Sequence, residues 1–196
     1  ESNLFSFHQQ PKISTSKNDM KSYDINTVKE LENHALLHYL SSRGISSEIA
    51  KNNCLEIHYN IQSKNYFSIA FQNDSKGYEH RNKYLKGSLG KKDITWIKND
   101  SNSISVFEGF IDYLSFLEIK KNQKKEDYLI LNSVANIKKS YDLIKKYQNV
   151  SLFLDNDTAG DISTQKIIKN SRNKINDRRN FYKNYKDLNE YLINQS

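Results

Sequence analysis

Two carboxylates separated by one residue, Asp155 and Asp157, follow directly on the apolar run 150–154, and Thr158, Ala159 and Gly160 then open a helix. A short apolar run bounded by turn residues predicts a strand covered on both faces, as in a parallel sheet. Ligands of open α/β sheets collect beyond the carboxyl ends of strands, where this pair falls. Two carboxylates aimed into one crevice repel each other, and a hard divalent cation is their natural partner. The same grammar stands earlier in the chain. Residues 104–107 predict a second buried strand with Glu108 at its carboxyl end, and Gly109 allows a tight turn into a helix. Asp112, four residues after Glu108, returns to the same side one helical turn later. Taken alone, an Asp-x-Asp on a turn is more often helix-capping or loop chemistry than a site. A Glu after one strand and an Asp-x-Asp after another, with a strand and helix between them, is the stronger signal.

The elements that must hold these residues are legible from residue 101 onward. Strand 104–107 leads into a helix over 110–119, a charged connector over 120–127 and a strand at 128–131. A helix over 136–147 carries Ile137, Tyr141 and Ile144 on one face and Lys138, Lys139, Lys145 and Lys146 elsewhere. Strand 150–154, a helix over 159–171, a last strand near 174–179 and a short helix at 188–193 complete the series. Strands alternating with helices predict right-handed crossovers and a mostly parallel sheet flanked by helices, the α/β class.

Upstream, residues 1–24 hold the only Pro and read as a linker or extended arm, with Phe5 and Phe7 as anchors. Asn26 or Thr27 caps a helix in which Val28, Leu31, Ala35, Tyr39 and Leu40 recur at helical spacing, with Gly44 as its stop. Ser46 and Ser47 cap a shorter one. His34 and His38 stand at i, i+4 without a third ligand nearby and read as an ordinary helix face. Runs 55–59, 66–71 and 78–82, separated by polar turns, predict an antiparallel meander. Segment 83–93 holds four Lys and two Gly, which suits close approach to phosphates, although its composition alone favours a solvated basic loop. Residues 25–100 are thus expected to form a small α+β subdomain ahead of an α/β domain over 101–196.

Composition bounds the possibilities. The 196 residues carry 30 Lys+Arg against 23 Asp+Glu, a net charge of +7 and a pI near 9.2, which suits a polyanionic partner. Part of that charge belongs to a general richness in Asn, Lys, Ile and Tyr. Apolar content is only 36%, so the 13 Tyr and 9 Phe must supply core material. With Cys54 as the sole cysteine, neither a disulfide framework nor a Cys-rich zinc site forms within the chain. No run approaches the ~18 apolar residues of a membrane span, and no signal-peptide pattern opens the chain. A reducing cytoplasm is the expected compartment. A chain that starts at Glu1 without Met reads as a piece of something longer.

Glu108-Gly-x-x-Asp112 followed by Asp155-x-Asp157-x-Ala-Gly160 resembles the Toprim domain, a fold shared by bacterial-type primases, topoisomerases, some nucleases and recombination mediators. Among these, residues 36–192 most resemble the catalytic core of bacterial-type DNA primases. Tyr39-Leu-Ser-Ser-Arg-Gly-Ile45 matches a Tyr-Leu-x-x-Arg-Gly-Ile helix end, and Gly77-Tyr-Glu-His-Arg81 with residues 83–87 resembles segments that line the nucleic-acid groove. Lys186-Asp-Leu-Asn-Glu190 keeps Asp187 of a C-terminal acidic motif but has Asn189 at its second acid.

The resemblance implies that Asp155, Asp157, Asp112 and Asp187 hold Mg²⁺ or Mn²⁺, with Glu108 as a further ligand or a general base. It assigns Arg81, Lys83 and Lys86 to template or primer phosphates, and Gly109 and Gly160 to structural turns. The implied activity is synthesis of short primers on single-stranded DNA by divalent-metal-dependent phosphoryl transfer, in the wording of primase-like proteins of mobile elements. Single-stranded template and nucleotides are then the partners, with a helicase or a separate zinc-binding module beside them and no membrane. Zinc has no place within this chain. Two other readings stay open: a non-catalytic DNA- or replication-protein-binding module, favoured by Asn189, and a Toprim nuclease. Strand passage needs a tyrosine-bearing domain for which there is no room, and no Gly-x-x-x-x-Gly-Lys loop is present for an ATPase partner domain.

Overall fold

In the computed structural model, which describes residues 23–120, 126–171 and 173–195, the chain builds two five-stranded sheets. The first is an antiparallel meander, β1 (Tyr23–Glu30), β2 (Leu55–Ile61), β3 (Lys64–Gln72), β4 (Tyr78–Arg81) and β5 (Lys86–Leu89), each paired with the next. Alternation within β3 sends Phe67, Ile69 and Phe71 to one core, and Tyr66 and Ala70 to a smaller core with Ile57, Tyr59 and Leu89. Helices α1 (His34–Ser41) and α2 (Ser47–Asn53) sit between β1 and β2.

The helix expected from Asn26 is instead strand β1 as far as Glu30. Apolar residues at 28, 31, 35 and 39 mimic a helical period across a break, because Val28 pairs opposite Ile57 on an edge strand while Tyr39 belongs to α1. The break is built by side chains. The Asn33 carboxamide oxygen accepts from Ala35 N at 2.9 Å and Leu36 N at 3.3 Å to start α1, and buried Glu56 accepts from Asn33 N at 2.8 Å. His34 and His38 are both exposed on α1. Segment 83–93, read as a loop, contributes β5, whose Lys86 pairs opposite Arg81. Tyr23 and Asp24, at the end of the expected arm, are the first residues of β1. The rest of that arm, with Phe5 and Phe7, and residues 121–125 of the connector lie outside the described residues.

The second sheet has the order β10 (Lys174–Asp177), β9 (Asn149–Phe153), β7 (Ser103–Phe107), β8 (Asp127–Ile130) and β6 (Thr95–Ile97). All its pairs are parallel except β6 with β8. Strand β6 was not expected, and it brings the end of the first half into the second sheet. Helix α3 (Phe110–Ile119) follows β7, α4 (Ile137–Ile144) follows β8, α5 (Thr158–Asn170) follows β9, and α6 (Leu188–Ile193) ends the described chain. Ile104, Val106, Leu152 and Leu154 pack toward α4 and α5, whereas Phe107, Phe153, Tyr128 and Ile130 share a core with α1, α2, β3 and α3. Phe107 stacks on Phe153 with ring centroids 5.4 Å apart, and Phe71 stacks on Phe110 at 5.3 Å. One core therefore ties the two halves together. No described helix is long and apolar enough to cross a membrane.

Candidate active site

The carboxylates come from separate segments that the topology brings to one edge. Strands β7 and β9 are parallel neighbours with Phe107 opposite Phe153, so Glu108 and Asp155 leave the sheet side by side at its carboxyl end. The backbone N–H of Asp155 lies near enough to the Glu108 carboxylate to favour its charged form. Asp112 lies in the first turn of α3, buried beneath them. Asp157 caps α5, accepting from Gly160 N at 2.9 Å, and Asp187 caps α6, accepting from Glu190 N at 2.7 Å.

Asn156, between the two aspartates, delivers the C-terminal segment to the cluster. Its backbone N–H donates to Lys186 O at 2.6 Å, and its carboxamide donates to Tyr182 O at 3.0 Å and Tyr185 O at 2.9 Å. Tyr182, itself buried, donates its hydroxyl to Leu154 O at 2.8 Å. Residues 182–187 are thereby laced to the strand end that carries Asp155.

Gly160 is required by packing: a Cβ there would run into the Asp155 carbonyl oxygen. Gly109 is different. Its backbone is extended as the cap of α3, and a side chain would meet Asp112 Oδ2 at 3.6 Å, an ordinary contact.

Electrostatics marks the cluster as short of positive charge. Burial, then the charges of Glu108, Asp187 and Asp157, push the Asp155 carboxyl up to about 7, against the pull of Lys186. Burial, then Asp187, Asp155 and Glu108, hold Asp112 well above the usual carboxylate range. Glu108 is raised by burial and by Asp157, and its Oε2 is buried without a hydrogen-bond partner. By charge and by oxygen type this donor set fits a hard divalent cation. As placed, the side chains stand apart: among the described residues no three His, Cys, Asp or Glu groups are gathered around one ion position.

Glu108, Asp112, Asp155 and Asp187 line one side of a cleft of about 490 Å³. Arg43 and Lys186 also line it, and β4–β5 forms the facing wall with Glu79, Arg81, Lys86 and Ser88, followed by Lys92 just beyond β5. Arg81 is oriented by its Nε–H donating to Tyr39 Oη at 2.8 Å. Of the residues expected in the site, Asp157 acts at the back as a cap and through its charge, and Lys83 is exposed beside the Tyr84 ring, away from the lining.

Sequence reasoning missed Arg43, Lys92, Lys186 and Glu79 as lining residues. All four sat inside segments already singled out: the Tyr-Leu-x-x-Arg-Gly-Ile match, the Lys/Gly segment, the Lys-Asp-x-Asn-Glu match and, for Glu79, the Gly77-Tyr-Glu-His-Arg81 match, where only the arginine drew notice. Asn189 is fully buried behind the cleft. Its carboxamide donates to Arg43 O and Ser115 Oγ, both at 2.8 Å, and its backbone N–H to Asp112 Oδ1 at 3.3 Å. It packs α6 onto α3 where the motif has its second acid.

Residues 105–192 match the Toprim-like family model, and residues 25–90 match a domain of unknown function, DUF8464. No curated protein sequence gives a significant match. Among solved structures, the primase fragment of the bacteriophage T7 primase-helicase protein is 17% identical, with 96% of this chain covering 79% of that one at a TM-score of 0.59. The zinc-binding and RNA polymerase domains of the Aquifex aeolicus primase align at 15% identity, covering 85% of this chain and 57% of that one, with a TM-score of 0.50. A third match is to the structure of bacteriophage T7 lagging-strand DNA polymerase interacting with primase domains of two gp4 subunits bound to an RNA/DNA hybrid and dTTP. It is 19% identical over 75% of this chain and 83% of that one, at a TM-score of 0.50. Residues 105–192 thus match a Toprim-like domain, and the chain as a whole shares the fold of these primase structures.

Proposed function

We infer that this chain is a primase-type nucleotidyltransferase that makes short primers on single-stranded DNA, in the replication of a mobile element. The observation that carries this reading is the meeting of Glu108, Asp112, Asp155 and Asp187 on one side of a cleft whose other wall is basic. The basic wall suits the phosphates of a template and primer, with Arg81 and Lys86 paired across β4–β5 and Arg43 and Lys92 flanking them. Lys83 stands outside that wall.

Asp155, Asp187 and Glu108 would hold Mg²⁺ or Mn²⁺, with Asp112 behind them and Asp157 adding charge. A bound divalent cation would supply Lewis-acid stabilisation of negative charge on the attacking and leaving oxygens. The chain's own contribution is positional. Asn156 and Tyr182 fix the segment bearing Asp187 against the end of β9, and the Asp155 backbone N–H favours the charged form of Glu108. Glu108, already raised by burial, can serve as ligand or as the base that accepts a proton from a primer 3′-hydroxyl. A helicase and a separate zinc-binding module are the expected working partners, since the structural neighbours include a primase–helicase fragment and a primase with a zinc-binding domain.

A second reading, a DNA- or replication-protein-binding module without catalysis, draws on one observation: the carboxylates do not converge on a single ion position among the described residues. Incubation with single-stranded DNA, labelled nucleotides and Mg²⁺ or Mn²⁺ separates the two. Short products that require the cation support nucleotidyl transfer. DNA binding indifferent to metal, without products, supports the binding module, and template cleavage points to a nuclease.

A further inference from the structure

On the basic wall of the cleft one charge has the wrong sign for a polyanion. Glu79 lies on β4, two residues from Arg81, so both side chains leave the same face of the strand, and across β5 they stand opposite Ser88 and Lys86. Glu79 is half-buried. Among the described residues its carboxylate makes no hydrogen bond and no ion pair, and Lys92 and Lys86 act on it only through space. Burial pushes its carboxyl up to about 7 despite those two cations. A carboxylate kept to orient a lysine would sit within salt-bridge distance of it, and one kept for the backbone would accept an N–H. Glu79 does neither, so its oxygens are left for something that enters the cleft.

Like charge disfavours phosphate at that position whenever the carboxyl is ionised. What remains on a nucleotide is a neutral donor: a sugar hydroxyl or the exocyclic amine of a base. Ser88 opposite and Ser133 across the cleft add hydroxyls along the same stretch. Asn132 fixes the strand-end loop that bears Ser133, donating to Asp93 O at 2.9 Å and Thr95 Oγ1 at 3.0 Å. We propose that Glu79 is a specificity-determining residue that accepts a hydrogen bond from a sugar hydroxyl or an exocyclic amine of the bound nucleotide. This assignment rests on the nucleotidyl-transfer reading of the cleft and deepens it.

Equilibrium binding of ATP, deoxy-ATP, CTP and UTP in Mg²⁺, to the wild-type chain, Glu79→Gln and Glu79→Ala, tests it. ATP against deoxy-ATP reads the hydroxyl, and CTP against UTP reads the amine. Loss of a hydrogen bond to a charged acceptor costs a ligand about tenfold or more in affinity. One wild-type ratio should therefore be about tenfold or more, fall toward one in Glu79→Ala and lie between in Glu79→Gln. Thermal unfolding of both variants monitors the fold, and Glu79→Gln, the closer isostere, carries the test alone if the alanine variant does not fold. Wild-type ratios near one, ratios unchanged in the variants, or no binding of any triphosphate would each overturn the assignment. Primer synthesis by the wild-type chain is scored in parallel. If it primes while the ratios stay unmoved, Glu79 loses its role and the polymerase reading stands; if it neither primes nor binds nucleotide, both readings fall.

Discussion

Asn156 carries more of the site than its position between two aspartates suggests. Its carboxamide satisfies two carbonyls of the segment that ends in Asp187. Replacing it with Ala leaves both without that donor, and we expect a loss of about 1–3 kcal/mol in urea unfolding. Primer synthesis should fall further than DNA affinity does, because the basic wall is untouched. The acid cluster gives a second prediction, about pH. Asp155 is raised from 3.8 to about 7 in the folded chain, so between those values the native state binds more protons than the unfolded one. Its contribution to stability is therefore full below about pH 3.8 and is lost as pH rises through about 7. Thermal unfolding at pH 7.5 should show a rise in Tm on adding Mg²⁺ that is absent near pH 4.5, and Asp155→Asn should blunt both the pH slope and the Mg²⁺ response.

At the scale of elements, the helix that follows β9 depends on having no side chain at Gly160. Gly160→Ala drives a methyl group into the Asp155 carbonyl, and overpacking of this kind costs about 1–3 kcal/mol, measurable as a lower urea midpoint. This motif was readable in advance because its parts are local: an apolar run, a turn rich in acids, a small residue on the first helical turn. The same holds for β7 with Glu108 and Gly109, and for the alternation that carries the second sheet. What could not be read was set by distant partners. Strand β1 is a strand because β2 offers an edge opposite Val28, and the local period 28, 31, 35, 39 favours helix until that pairing is known. Strand β6 is three residues long and exists through pairing with β8, from Thr95 opposite Ile130 onward. Lys83 and Lys86 look alike in sequence, yet only the one that falls on β5 opposite Arg81 faces the cleft. Asn189 stood out as a missing acid, and only its burial against Arg43 and Ser115 reveals a packing role.

The whole molecule is a basic wall and an acidic edge held by one shared core, in which Phe71 on β3 stacks on Phe110 at the start of α3. Separating those two surfaces separates binding from chemistry. If the wall holds phosphates, log affinity for single-stranded DNA falls linearly with log salt, and Lys86→Ala should reduce that slope by about 0.7 for the one contact removed. Substitutions on the acidic edge should leave the slope alone. The most direct measurement of the central claim joins the two: primer synthesis and single-stranded DNA affinity, side by side, for the wild-type chain and Asp155→Asn in Mg²⁺ or Mn²⁺. Cation-dependent short products from the wild-type chain, lost in Asp155→Asn at near wild-type DNA affinity, are the predicted result. Equal product from both chains, or none from either in the presence of metal, would contradict it.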